Sequence, residues 1–142
     1  MCRRIERRFE SRPESVPEAR HLVAWALRDW GLDDADVAAP TGMDLLLVAS
    51  ELVTNAAKSH SHDFLLSVDV HRDHVELVVA DEDPEPARRM EPGLDQANGR
   101  GLGIVDALAS SWGQTPFDGH IKRVWCRLDL PPGSALGSGC AL

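Results

Sequence analysis

The stretch from Thr41 to Lys58 constrains this chain more than any other. It is rich in Leu, Val and Ala, and beyond its first residues it holds neither glycine nor proline, so it reads as one long helix, the most hydrophobic in the chain. At 100° per residue, Leu45, Leu46, Ala49, Leu52, Val53, Ala56 and Ala57 cover a wide apolar arc. Asp44, Leu47, Val48, Glu51, Asn55 and Lys58 fall on the remaining side. Such a helix has to be covered by other elements, and the flanking sequence supplies them.

Upstream, Ala19, Leu22, Val23, Ala26, Leu27 and Trp30 recur at helical spacing. That helix is expected to be capped near Ser15, to carry Pro17 in its first turn and to end at Gly31. Before it, Ile5 and Phe9 alternate with arginines as in an edge strand over residues 3–10. Downstream, residues 64–70 and 75–80 read as adjacent antiparallel strands joined by a tight turn at His71-Arg72-Asp73-His74. Residues 81–98, with three prolines and many charges, form a connection long enough to suggest a functional lid. A short helix is expected over residues 101–111, then strands over 112–117 and 121–130, the last with Ile121, Val124, Leu128 and Leu130 as its apolar residues. The predicted fold is α+β: a two-layer sandwich of helices on a mostly antiparallel sheet, one domain over residues 1–130 with a flexible tail over 131–142.

At 142 residues and 43% apolar content the chain suits one core, and its net charge of −8 disfavours nucleic acid. No apolar run of about 18 residues indicates a membrane span, and no signal segment follows the basic start, so the expected location is the cytoplasm. Cys2, Cys126 and Cys140 have neither disulfide-framework nor zinc-site spacing and read as free thiols. His60, His62, His71 and His74 lack a convergent third ligand, and Trp25, Trp30, Trp112 and Trp125 read as core or core-edge aromatics.

Three features carry chemistry. Glu51 and Asn55 lie one helical turn apart, so a carboxylate and an amide oxygen can project together, a donor set that suits Mg²⁺. On the helix alone, a solvated face is the simpler account. Gly99-Arg100-Gly101-Leu102-Gly103 directly precedes a predicted helix, where free N–H groups favour phosphate; taken singly, it fits a flexible joint equally well. It matches neither the dinucleotide fingerprint nor the Walker pattern. Asp81 closes a strand where a carboxylate can accept a hydrogen bond from a purine amino group.

Taken in order, Ser50-Glu51-Leu52-Val53-Thr54-Asn55-Ala56-Ala57-Lys58, Val79-Ala80-Asp81, Gly99-Arg100-Gly101-Leu102-Gly103-Ile104-Val105 and Lys122-Arg123-Val124-Trp125 resemble the actinobacterial ATP-binding proteins related to anti-sigma serine kinases. Their ATPase fold is shared with histidine kinases, gyrase, heat-shock chaperones and mismatch-repair ATPases. The resemblance covers roughly residues 5 to 130 and implies ATP and Mg²⁺ as cofactors. It implies Glu51 as general base, Asn55 as Mg²⁺ ligand, Asp81 as adenine acceptor and the Gly99 to Gly103 segment as phosphate contact, with Lys58 also at the nucleotide. The chain departs from the family pattern at Ser59, where a histidine is common, and at Asp83, where a glycine or serine is common.

The function so implied is a regulatory serine/threonine kinase acting on a small antagonist protein, with a sigma factor as a further partner and homodimerisation as a family trait. The rival expectation is a partner-binding module that uses nucleotide only to set its conformation. A structural interaction domain without nucleotide stands third.

Overall fold

The computed structural model describes residues 3–31, 40–58, 63–81, 103–115, 121–134 and 136. Strands β1 (Arg3–Phe9), β2 (Phe64–Val70), β3 (His74–Asp81), β4 (Ser111–Thr115) and β5 (Lys122–Asp129) form one sheet in the order β1-β2-β3-β5-β4. Every neighbouring pair is antiparallel. Helices α1 (Ser15–Asp29) and α2 (Pro40–Ala57) pack on each other, and α2 rests on β2 and β3. A short helix covers residues 103–108. This is the α+β sandwich that the element order predicts.

Strand alternation sends every second side chain to the helix-covered face. Three apolar rows cross the central strands: Val70–Val75–Leu128, Val68–Leu77–Cys126 and Leu66–Val79–Val124, all buried. Against them α1 sets Ala19, Val23 and Leu27, and α2 sets Leu45, Val48, Ala49, Leu52, Val53 and Ala56, in one continuous core. Val48 was expected on the polar side of α2 but is fully buried. It lies three residues from Leu45 and four from Leu52, so it shares their face.

Trp25 is 56% exposed, not a core residue. It stands about 200° around α1 from both Val23 and Leu27, which points it away from α2 and the sheet. Trp30 and Trp112 pack at the edge of the core, and half-buried Trp125 lies on the outer face across Gly113, where an added Cβ would meet its ring at 2.9 Å.

Two termini differ from the sequence reading. Ser15 is the first residue of α1, but its hydroxyl donates to Glu10 O at 2.6 Å and caps nothing; Glu14 holds the cap position without a side-chain bond. The helix expected to run to residue 111 stops at 108, because Ser110 N–H donates to Arg127 O and joins the chain to β5. The end of α1 is as predicted: Gly31 adopts φ +92°, a left-handed stop, and its N–H donates to Arg28 O. Leu136 is buried in the same core.

Candidate nucleotide-binding site

One further row closes the helix-covered face, and it differs in kind from the other three. Phe9, Phe64, Asp81 and Lys122 are register partners on β1, β2, β3 and β5. Phe9 and Phe64 stack with ring centroids 5.6 Å apart. Asp81 and Lys122 are each only 4% exposed, and Lys122 Nζ lies 3.8 Å from Asp81 Oδ1. Each falls inward by parity, Asp81 with Val75, Leu77 and Val79, and Lys122 with Val124, Cys126 and Leu128.

The end of α2 is fastened to this same end of the sheet. Ser11, two residues beyond Phe9, donates its hydroxyl hydrogen toward Ala56 O at 3.2 Å and Ala57 O at 3.1 Å. Those carbonyls belong to the last helical turn, which has no partners within the helix. Phe9, Phe64 and Asp81 follow one another across the sheet, so the turn carrying Glu51, Asn55 and Lys58 lies at the end where Asp81 sits. Glu51 and Asn55 on α2, and Lys58 just beyond its end, are half-buried.

The remaining polar residues of the helix motif hold it in place. Ser50, 3% exposed, accepts a hydrogen bond from Arg20 Nε at 2.9 Å and donates to Leu46 O at 2.9 Å, linking α1 to α2. Thr54 Oγ1 donates back to Ser50 O at 2.7 Å.

Gly103 opens the short helix, and the space where a Cβ would stand is clear to 4 Å. Val105 anchors that helix in the core, and Trp112 Nε1 donates to Asp106 Oδ1 at 2.9 Å. Gly99, Arg100, Gly101 and Leu102 lie outside the described residues, as do Ser59, Asp83 and the expected lid over 82–98. The structure thus brings Glu51, Asn55, Lys58 and Asp81 to one end of the sheet.

Residues 9–119, well over half of the chain, match the histidine kinase-like ATPase domain. The chain belongs to that family. Membership implies ATP as the ligand, and the oxygen donors at the end of α2 together with the buried carboxylate of β3 are of a kind that fits a nucleotide carrying a cation. The match takes in α1, α2, β2, β3 and β4 but stops before β5, so it does not cover Lys122. No curated protein sequence matches the chain.

Sequence reasoning quoted Lys122 as part of a motif but gave it no role. The signal was its even spacing with Val124, Cys126 and Leu128, which Ile121 does not share. The other candidates stay outside the site. His71 and His74 stack at 4.2 Å in the β2–β3 turn, where His71 N–H donates to His74 O and His74 Nδ1 lies 2.7 Å from Asp73 Oδ1. His60 and His62 fall outside the described residues. Burial pushes the Cys126 thiol up to about 12, which makes it a packing residue. Among the described residues no group of three His, Cys, Asp or Glu side chains is placed to hold a metal, and no helix is long and apolar enough to cross a membrane.

Proposed function

We propose that this ATPase-family domain is an ATP- and Mg²⁺-dependent regulatory serine/threonine kinase of the anti-sigma type, acting on a small antagonist protein. The observation that carries the reading is the convergence of Glu51 and Asn55, one turn apart at the end of α2, with Asp81 at the matching end of β3. A carboxylate for proton transfer, an amide oxygen for a cation and a buried acceptor for a base stand at one end of one sheet.

Bound ATP·Mg²⁺ supplies a transferable phosphoryl group whose charge the metal partly offsets. Asn55 would offer its amide oxygen to the cation, whose charge would help to offset that of the phosphates. Glu51 accepts the proton of a serine or threonine hydroxyl as that oxygen bonds to the γ-phosphorus and ADP departs. Asp81 accepts from the 6-amino group of adenine, Lys58 borders the nucleotide, and the Gly99 to Gly103 backbone donates to phosphate.

Calorimetric titration with ATP, with and without Mg²⁺, tests the site. Magnesium-dependent binding that disappears in Asn55→Ala is the expected result, and no binding by the wild type sinks the reading. Transfer from labelled ATP to a candidate antagonist tests the chemistry: Glu51→Gln is expected to lose roughly 10²–10⁴-fold in rate while still binding ATP. Partner binding that responds to ATP yet is unchanged by that substitution favours a non-catalytic module instead.

A further inference from the structure

Outside the nucleotide site, β1 is the element whose chemistry the fold explains least. It is a regular seven-residue strand that pairs with β2 along its whole length, and among the described residues no strand lies beyond it. Alternate residues of such an edge turn their N–H and C=O groups away from the sheet, a template for one more strand. Four of its side chains are arginines against one glutamate, in a chain whose net charge is −8. Arg4 is answered by Glu6 and by Asp69, whose carboxylate lies 3.5 Å away. Arg7 and Arg8, toward the other end, are both exposed. The Arg7 guanidinium lies 4.9 Å from the centre of the Phe9 ring, and the outer-face row of Arg8, made of Leu65, Ala80, Arg123 and Thr115, holds no carboxylate.

α1 adds an apolar border to this edge. It runs back over β1, since Ser15 at its start is bonded to Glu10 O and Trp30 O just past its end accepts from Arg3. Arg20 marks the flank that faces α2, through its bond to Ser50. Leu22 and Trp25 stand about 160° and about 140° around the helix from Arg20, on the flank away from α2. Leu22 and Ile5 of β1 both pack against the core, and Trp25 is 56% exposed. The edge therefore combines a strand template, basic side chains and an exposed indole.

Arginines on an edge strand guard against pairing with another copy. Two β1 strands laid antiparallel about Glu6 would set Arg4 opposite Arg8 and Glu6 opposite Glu6, like charges that repel. The same arginines attract an acidic chain. We propose that the edge of β1 and the bordering flank of α1 dock an extended acidic segment of a partner protein, added to the five-stranded sheet as a further strand. Main-chain bonds to β1 supply affinity, carboxylates meeting Arg7 and Arg8 supply selectivity, and an apolar side chain of the segment covers Trp25. Nothing in this docking requires the nucleotide site.

The probes are short synthetic peptides alternating glutamate with valine, titrated at low salt into the full chain, with lysine–valine peptides as the charge-reversed control. The glutamate peptide is expected to bind, more weakly as salt rises, and the lysine peptide is not. N-methylation of the glutamates, or of the valines, leaves the charge unchanged; one of the two sets is expected to lose roughly tenfold or more in affinity, because only every second N–H of an added strand faces β1. Trp25→Ala is expected to weaken binding roughly fivefold to thirtyfold, and Arg8→Glu to weaken it and flatten its salt dependence. Both residues are exposed, and an unchanged urea midpoint verifies that each variant folds. Equal binding of the parent and both N-methylated peptides overturns strand addition and leaves a nonspecific basic patch. A dimer in sedimentation velocity that Trp25→Ala dissociates overturns the assignment by making a second copy the occupant. No binding of the glutamate peptide, equal binding of the lysine peptide, or binding unchanged by both substitutions overturns the docking and leaves the arginines of β1 a protective edge.

Discussion

Removing one member of the Asp81–Lys122 pair should harm the fold more than removing both. The two residues are each 4% exposed and their charged groups lie 3.8 Å apart, and at an effective dielectric of about 20 their attraction is about 4 kcal/mol. Much of that offsets the cost of withdrawing both charges from water. Lys122→Met removes the ammonium beside the buried Asp81, and Asp81→Asn removes the carboxylate beside the buried Lys122; each is expected to cost roughly 3–5 kcal/mol. The double variant strands neither charge and should lose less than either single one. Urea unfolding followed by far-UV circular dichroism, without nucleotide, measures this. With a denaturant slope of about 2 kcal/mol per molar, the single variants should lower the midpoint by about 1.5–2.5 M. The reasoning is refuted if each single variant costs less than about 1 kcal/mol, or if the double variant loses the sum of the two, since uncoupled sites simply add.

Ser50→Ala removes both the bond from Arg20 and the bond to Leu46 O; a loss of roughly 1–3 kcal/mol is expected in thermal or urea unfolding, with Arg20→Ala and Ser50→Ala non-additive. A pH effect is expected at the β2–β3 turn, where burial, and then the neighbouring His74, hold the His71 pKa below its ordinary value. The unfolded chain therefore takes up this proton more readily, so His71 contributes stability above the unfolded pKa of about 6.5 and loses it as pH falls through the lower folded value. The thermal midpoint should drop on acidification from about pH 7 to about pH 5, and His71→Gln should flatten that drop; an unchanged profile would exclude the histidine as its source.

Local chemistry made much of this fold legible. Gly31 marked the end of α1, and the alternating apolar residues of β2 set its limits at Phe64 and Val70. The wide apolar arc of α2 announced a helix covered by other elements, and the one-turn spacing of Glu51 and Asn55 put both on one side of it. What could not be read locally depended on pairing between distant segments. Asp81 was visible as a strand-ending carboxylate, but its burial against Lys122 needs the β3–β5 register, which no spacing within β3 reveals. The early stop at residue 108 has the same origin, since Ser110 is claimed by a carbonyl of β5. Val48 was misplaced because a helical wheel drawn for an isolated helix has one buried side, whereas α2 is packed by both α1 and the sheet.

The position of β1 also sets the order in which the sheet can assemble and come apart. β2 and β3 are joined by a tight turn and can pair as soon as they meet, on the microsecond scale of hairpins. β1 pairs with β2 only after the chain has closed a loop containing both long helices, and such distant pairings form slowly. With no strand beyond it among the described residues, β1 is held through β2 and a few anchors, among them the bond from Arg3 to Trp30 O and the Phe9–Phe64 stack. Its amides should therefore exchange with solvent through partial opening, well before those of β3 and β5 at the centre. Phe9 and Ser11 tie this late-closing strand to the end of α2, so the last segment of the sheet to close is also the one that fixes the position of Asn55.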